Sequence, residues 1–213
     1  MSGGMDSTLA AYMMRDEGYE LIGLHFNYQQ RTQTKELEAF KALCKELNIK
    51  TPYIVDLDFF SQIGASALTD MSIDVPTTGI EDTIPVTYVP FRNGIFISIA
   101  TAIAEKEGAD VLAIGVVEED SSGYPDCREE YILSMQNSIN LGTKDETNLE
   151  IRMPLVHLKK SQIVAEAVKR EVALELTWSC YQSEEKACGV CDSCRLRLNG
   201  FKEAGMIDPI AYA

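Results

Sequence analysis

Basic residues are in short supply: 19 Lys and Arg stand against 33 Asp and Glu, giving a net charge of −14 with neutral histidines and a pI near 4.5. This excludes a partner held through a broad basic surface, because nucleic-acid affinity comes largely from cationic side chains displacing counterions from phosphates. No nucleic-acid partner is expected. If the chain handles phosphate, it must do so locally, with backbone amides, a few arginines and a metal ion. Long apolar runs are also missing. The longest candidate, residues 94–104, stops at Glu105, short of the roughly 18 apolar residues that span a bilayer. The opening Met1-Ser2-Gly3-Gly4-Met5-Asp6 lacks the basic and apolar stretches of a secretory signal, so the expected setting is a reducing cytoplasm without membrane attachment. Seven Pro and 14 Gly are too few for a collagen-like or low-complexity chain. With 213 residues, 46% of them hydrophobic, the chain reads as one domain, or one domain with an appendage.

The apolar pattern alternates between helix and strand. Leu9, Tyr12 and Met13 share one face of a helix over residues 7–17, which Gly18 can end. Residues 21–28 read as a strand, 34–47 as a helix and 53–55 as a short strand. Residues 93–106 form a helix that is apolar nearly all round, and 111–117 is a continuous Val/Ile/Leu run of the kind found in parallel strands covered on both faces. Two further helices fit residues 128–140 and 161–172. The order implies an α/β fold, a parallel twisted sheet flanked by helices, with ligands at the carboxyl ends of its strands. Residues 71–90, with Pro76, Gly79, Pro85 and Pro90, read as a long irregular loop.

Ser2-Gly3-Gly4-Met5-Asp6-Ser7 stands directly before the first helix. Paired glycines let consecutive backbone N–H groups turn inward around an anion, and the helix start adds partial positive charge. Ser2 and Ser7 can donate to phosphate oxygens. Asp6 has the wrong sign for that and reads as a magnesium acceptor or a helix cap. The plain alternative is an ordinary Gly-Ser segment.

That hexapeptide is similar to the phosphate loop of the PP-loop ATP pyrophosphatases, which cleave ATP between its α and β phosphates. Four further segments follow in one branch's order: Phe26-Asn27-Tyr28-Gln29-Gln30-Arg31, Thr87-Tyr88-Val89-Pro90-Phe91-Arg92-Asn93, Ser122-Gly123-Tyr124-Pro125-Asp126-Cys127-Arg128 and a block of four cysteines near the C-terminus. Together they resemble the 7-cyano-7-deazaguanine synthase family of queuosine biosynthesis, the QueC family. The resemblance implies a PP-loop-type nucleotide-binding fold and ATP binding by Ser2, Gly3, Gly4, Met5, Asp6, Ser7 and Thr8. There are departures. The family has a strand immediately before Ser-Gly-Gly, whereas only Met1 precedes Ser2, so the expectation is a missing first strand from truncation or a misassigned start. Phe91 stands where the family often has Gly, and Thr32 where His commonly follows Arg.

Cys180, Cys188, Cys191 and Cys194 crowd into 15 residues. Two successive Cys-x-x-Cys turns and one more distant cysteine can close a thiolate tetrahedron at about 2.3 Å from zinc, a structural site. Lys186, Arg195 and Arg197 are near enough in sequence to offset its charge. An iron–sulfur cluster is the competing reading, but the ferredoxin Cys-Pro is absent and the branch resembled carries zinc. Cys44 reads as core filler. Cys127, with no paired histidine base, reads as packing or pocket lining. His25, within a strand, reads as structural.

At the substrate end, a carboxylate can accept the N–H and amino edge of a guanine-like base while an aromatic ring stacks on its face. Asp126 or Asp120 fits the first role and Tyr124 the second, with Arg128 and Asn93 alongside. A solvated acidic loop is the alternative. Arg92 and Arg31 are candidates for a phosphate or substrate carboxylate, because guanidinium matches both geometries. Lys159 and Lys160 start a helix, where a lysine could reach phosphate or lie in solvent.

The resemblance implies that a carboxylate on 7-carboxy-7-deazaguanine is adenylated by ATP with Mg²⁺, that ammonia displaces AMP, and that a second adenylation yields the nitrile. Asp6, Arg92 and Arg31 are the expected catalytic residues, acting by position rather than as nucleophiles. It also implies residues 1–172 as the ATP and substrate domain, residues 173–213 as a zinc segment, and a homodimer, to whose interface Phe201 and Tyr212 could contribute. The rivals are a PP-loop tRNA sulfurtransferase, which the net charge disfavours, and a non-catalytic zinc-ribbon interaction module.

Overall fold

In the computed structural model, residues 1–77, 84–118 and 123–213 are described. The chain runs α1 (Met5–Asp16), β1 (Gly23–Asn27), α2 (Gln33–Glu46), β2 (Pro52–Asp56), α3 (Phe60–Ile63), α4 (Arg92–Glu107), β3 (Val111–Ala113), α5 (Glu129–Gly142), β4 (Glu150–Arg152), α6 (Lys160–Lys169) and α7 (Asp192–Glu203), with short 3₁₀ turns at Pro125–Cys127 and Leu174–Leu176. The architecture is α/β, with parallel strands flanked by helices, as expected.

Two parallel pairs carry the fold. β1 and β2 register Gly23 with Pro52 through Asn27 with Asp56, and Asn27 Nδ2 donates to Asp56 Oδ1 at 2.7 Å where the pair ends. Gly23 lets α2 lie close, since a Cβ there would come within 3.1 Å of Cys44 Sγ and 3.3 Å of Phe40. β3 and β4 register Val111 with Glu150 through Ala113 with Arg152.

The strand expected over residues 111–117 is regular for only three residues. Pairing continues singly, Ile114 N–H to Arg152 O at 3.0 Å and Glu118 N–H to Val156 O at 2.9 Å. Between these bonds Gly115 passes under the start of α1, where a Cβ would stand 2.8 Å from the Ser7 backbone. Close approach of a helix displaces regular pairing there.

α4 is apolar on most sides because it serves two cores. Ile95, Phe96 and Ile99 pack with Tyr28, Leu57, Phe60 and Val89 beside the first strand pair, while Ile97 and Ala104 pack with Ile132, Leu149 and Ile151 beside the second. Phe26 on β1 stacks on Phe96 with centroids 4.1 Å apart. A helix contacting neighbours on opposite faces shows no single apolar stripe.

Before Ser2, Met1 lies alongside β1, its amine donating to the Leu24 carbonyl. α7 and β4 were not expected from the sequence. β4 is short, and α7 carries only Leu196, Leu198 and Phe201 as large apolar residues. Among the described residues, no helix is long and apolar enough to cross a membrane.

Candidate active site

The phosphate loop is shaped by three glycines. Gly3 sits at φ +86°, and a Cβ on it would come within 2.7 Å of the Glu36 carbonyl and 3.0 Å of Ala39 Cβ. Gly4 is the extended N-cap of α1 and brings no side chain to the donors of the first helical turn, which leaves them to a ligand. Gly115 lets that turn settle onto the end of β3. Ser2 and Ser7 hydroxyls lie 3.1 Å apart, and both the Ser2 N–H and the Gly4 N–H donate to this hydroxyl pair. Met5 and Thr8 face away: Met5 joins the core with Leu9 and Tyr12, and Thr8 Oγ1 donates to Gly4 O at 2.8 Å. Met5 can offer an anion only its backbone N–H, and the Thr8 N–H also goes to Gly4 O, at 3.1 Å.

Asp6 points to α6. Lys160 Nζ donates to both carboxylate oxygens at 2.9 and 3.0 Å, with the lysine side chain only 13% exposed. Of the two lysines that the sequence leaves equivalent, this one enters the site.

Arg92, the first residue of α4, lies in an aromatic well. Its Nη1 donates to the Tyr28 hydroxyl at 3.0 Å, and its guanidinium carbon stands 5.5, 5.9 and 6.0 Å from the ring centroids of Tyr28, Phe96 and Tyr124. Burial pushes the Tyr28 hydroxyl up to about 12 and raises that of Tyr181, so both stay neutral and can donate. Tyr124 OH and Thr87 Oγ1 are 2.8 Å apart. Among the described residues no carboxylate forms an ion pair with Arg92. A half-buried cation ringed by neutral hydroxyls and π faces suits an incoming anion.

Other expected site residues fall elsewhere. Arg31 does not face this well: Nε donates to Ala67 O at 2.6 Å and Nη2 to Asp70 O and Ile73 O at 3.0 and 2.6 Å. It holds the irregular segment after α3 onto the β1–α2 turn. Asp126 is buried and accepts the Asn93 N–H at 2.9 Å, while Asn93 Nδ2 reaches Asp126 O and Cys127 Sγ at 3.3 and 3.2 Å. Arg128 is surface-facing, 4.0 Å from Glu130. Asp120 lies outside the described residues. Cys127 is pushed up to about 11, by burial first and then by Asp126, so it is a thiol that packs rather than a nucleophile.

One carboxylate went unnoticed in the sequence. Glu36, in the first turn of α2, accepts from Thr32 Oγ1 at 2.9 Å and Gln30 Nε2 at 3.1 Å, and burial raises its pKa. Its only sequence signal is an acid near a helix start.

The four cysteine sulfurs lie within 4.8 Å of one another, and Cys188 and Cys194 Sγ are 3.9 Å apart. A tetrahedron of sulfurs about 2.3 Å from zinc has edges of about 3.8 Å, so the cage fits that ion. Cys180 Sγ accepts N–H groups of Gln182, Ser183 and Cys188 at 3.3–3.4 Å. The neighbouring thiols of Cys191 and Cys194 lower the Cys180 pKa, and that shared proton raises their own. Four thiolate ligands held this close concentrate negative charge that a bound cation would offset. Arg195 and Arg197 do not supply it: Arg195 reaches Val190 O and Thr77 O, and Arg197 is paired with Asp208 at 2.7 and 2.9 Å.

Comparison with known proteins agrees with this geometry. The family model described as "Queuosine biosynthesis protein QueC" matches residues 1–205. The chain belongs to this family. It is 68% identical over 212 residues to the 7-cyano-7-deazaguanine synthase of Sulfurimonas denitrificans, covering all of this chain and 95% of that one. The same comparison gives 70% identity to the Sulfurovum enzyme, over all of this chain and 96% of the relative. For the Campylobacter jejuni enzyme it gives 58%, again over all of this chain and 96% of the relative.

Two of the departures from the QueC pattern, Phe91 and Thr32, have a structural setting. Phe91, where Gly is frequent, adopts φ +54°, and its ring packs edge-on against Tyr131 at 6.0 Å. Thr32 is buried, bonded to Glu36 and to the carbonyl of Cys180 at 3.1 Å.

Proposed function

We propose that the chain makes 7-cyano-7-deazaguanine from 7-carboxy-7-deazaguanine and ammonia, driven by ATP, as a cytoplasmic homodimer. The observation that carries this reading is the start of α1: Gly3 turns the chain at positive φ, Gly4 leaves the first helical turn without a capping side chain, and Gly115 seats that turn beside β3.

The chemistry is one of leaving groups. A carboxylate is a poor electrophile and hydroxide leaves badly, whereas AMP leaves readily. The N–H groups of residues 3–7 and the Ser2 and Ser7 hydroxyls hold the phosphates. Arg92 draws the substrate carboxylate into the well formed by Tyr28, Phe96 and Tyr124, with Tyr124 against the base. Asp6 would hold Mg²⁺, which supplies charge neutralisation on the phosphates, and Lys160 is then released towards them. The four cysteines would hold zinc as a structural ion, and residues 1–172 carry the chemistry. Glu36 is an acid available to a guanine-like edge in place of Asp126, which is committed to the start of α4.

The test is incubation with MgATP, ammonium and 7-carboxy-7-deazaguanine. Nitrile and AMP, seen by mass spectrometry, are expected together; the absence of both overturns the reading.

A further inference from the structure

The cysteine cage and the phosphate loop are joined by direct contacts along two routes. The first runs through the backbone. Trp178 N–H, two residues before Cys180, donates to Gly3 O at 2.8 Å, and Arg197 of α7 holds this stretch through Thr177 Oγ1 at 2.7 Å and Leu174 O at 3.2 Å. The second runs through side chains. α7 starts at the cage, with Cys191 as its N-cap and Cys194 in its first turn. It packs along α6 at Gly200, where a Cβ would stand 2.5 Å from Lys160 Cγ and 3.1 Å from the Lys160 carbonyl carbon and oxygen. The obstructed atoms are the stem and backbone of Lys160, which a rotamer change at the tip cannot move away. Lys160 in turn holds Asp6, the acid of the phosphate loop.

We propose that Gly200 is a positioning residue for nucleotide binding, and that through it the metal-nucleated helix α7 sets where the Lys160 ammonium stands relative to the phosphate loop. Residues 173–213 are thus a working part of the nucleotide site. This inference rests on the ATP-binding reading above. Lys160 is the group that meets phosphate; Gly200 acts only through it. A structural device of this kind has a reciprocal consequence: nucleotide held by the loop and Lys160 stabilises α7 and with it the cage, by the same factor in affinity.

The test is a double-mutant cycle on the zinc-loaded protein, read by calorimetric titration with MgATP in wild type, Gly200→Ala, Lys160→Ala and the double variant. Cobalt substitution reports on the thiolate cage through its charge-transfer absorption. Gly200→Ala is expected to weaken MgATP about tenfold, with the cobalt spectrum unchanged, and to have no effect in the Lys160→Ala background. Binding by Gly200→Ala within twofold of wild type, or an equal loss in both backgrounds, overturns the proposal. Should Gly200→Ala fail to fold, zinc affinity of wild type is measured by competition with a chromophoric chelator. Saturating MgATP, with its own zinc chelation accounted for, is expected to raise that affinity, and less so in Lys160→Ala; no change in wild type overturns it. If wild type itself fails to bind MgATP, the ATP-binding reading falls, which is a separate result.

Discussion

Asp126 caps the helix that carries Arg92: its carboxylate accepts the Asn93 N–H at 2.9 Å from the far side of α4, more than thirty residues along the chain. A buried acid in this position completes the donors of a helix start and complements its dipole. Asp126→Ala is therefore expected to cost about 1–3 kcal/mol in urea unfolding, through one unsatisfied buried N–H, and to raise KM by loosening Arg92. Asp126→Asn should retain most of the stability, since the amide oxygen still accepts. Equal losses in the two variants would contradict the capping role.

Arg92 is expected to be sensitive to even a conservative change. Lysine keeps the charge but loses the planar fork and the stacking on Tyr28 and Tyr124. Arg92→Lys should lower kcat/KM by about a hundredfold, equivalent to about 3 kcal/mol of transition-state stabilisation, with thermal unfolding little changed.

Phe91 offers a clean test of backbone strain. At φ +54° a side chain is disfavoured, and both Phe91→Gly and Phe91→Ala remove the same ring contact. The glycine variant is expected to be the more stable by about 1 kcal/mol, measured as the difference between their urea midpoints.

His25 makes stability depend on acid. It is buried on β1, with Nδ1 3.1 Å from Met1 O, and burial lowers it to about 4 from the ordinary 6.5. The unfolded chain takes up this proton first as pH falls, so the neutral ring's contribution is complete above pH 6.5 and declines towards pH 4. Between pH 7 and 5 the loss is about 2 kcal/mol. His25→Gln should flatten this part of the pH profile in denaturant titrations.

The sequence was most informative where chemistry demands fixed spacing. The cage from Cys180 to Cys194 and the Gly3-Gly4 turn before α1 were legible because metal and phosphate geometry leave few alternatives. So were α1, α2, α4 and α6, whose apolar residues recur at helical intervals. Asp126, Arg31 and Arg197 were misread for a common reason. Each is a charged side chain whose partner is a distant N–H, carbonyl or acid, and spacing along a chain carries no signal for a partner supplied by the fold. Gly115 and Gly200 were silent for a related reason, because the need for a missing Cβ arises only when two remote elements meet. α7 was missed because its apolar content is low and its stability comes from the cage at one end and the Arg197–Asp208 pair within its packing.

The bond from Trp178 to Gly3 joins segments 175 residues apart along the polypeptide. A ribosome therefore makes the anion-gripping turn well before the stretch next to the cysteine block that supports it. Until then a nascent chain has a loop packed on α2 but lacking the Trp178 bond to Gly3.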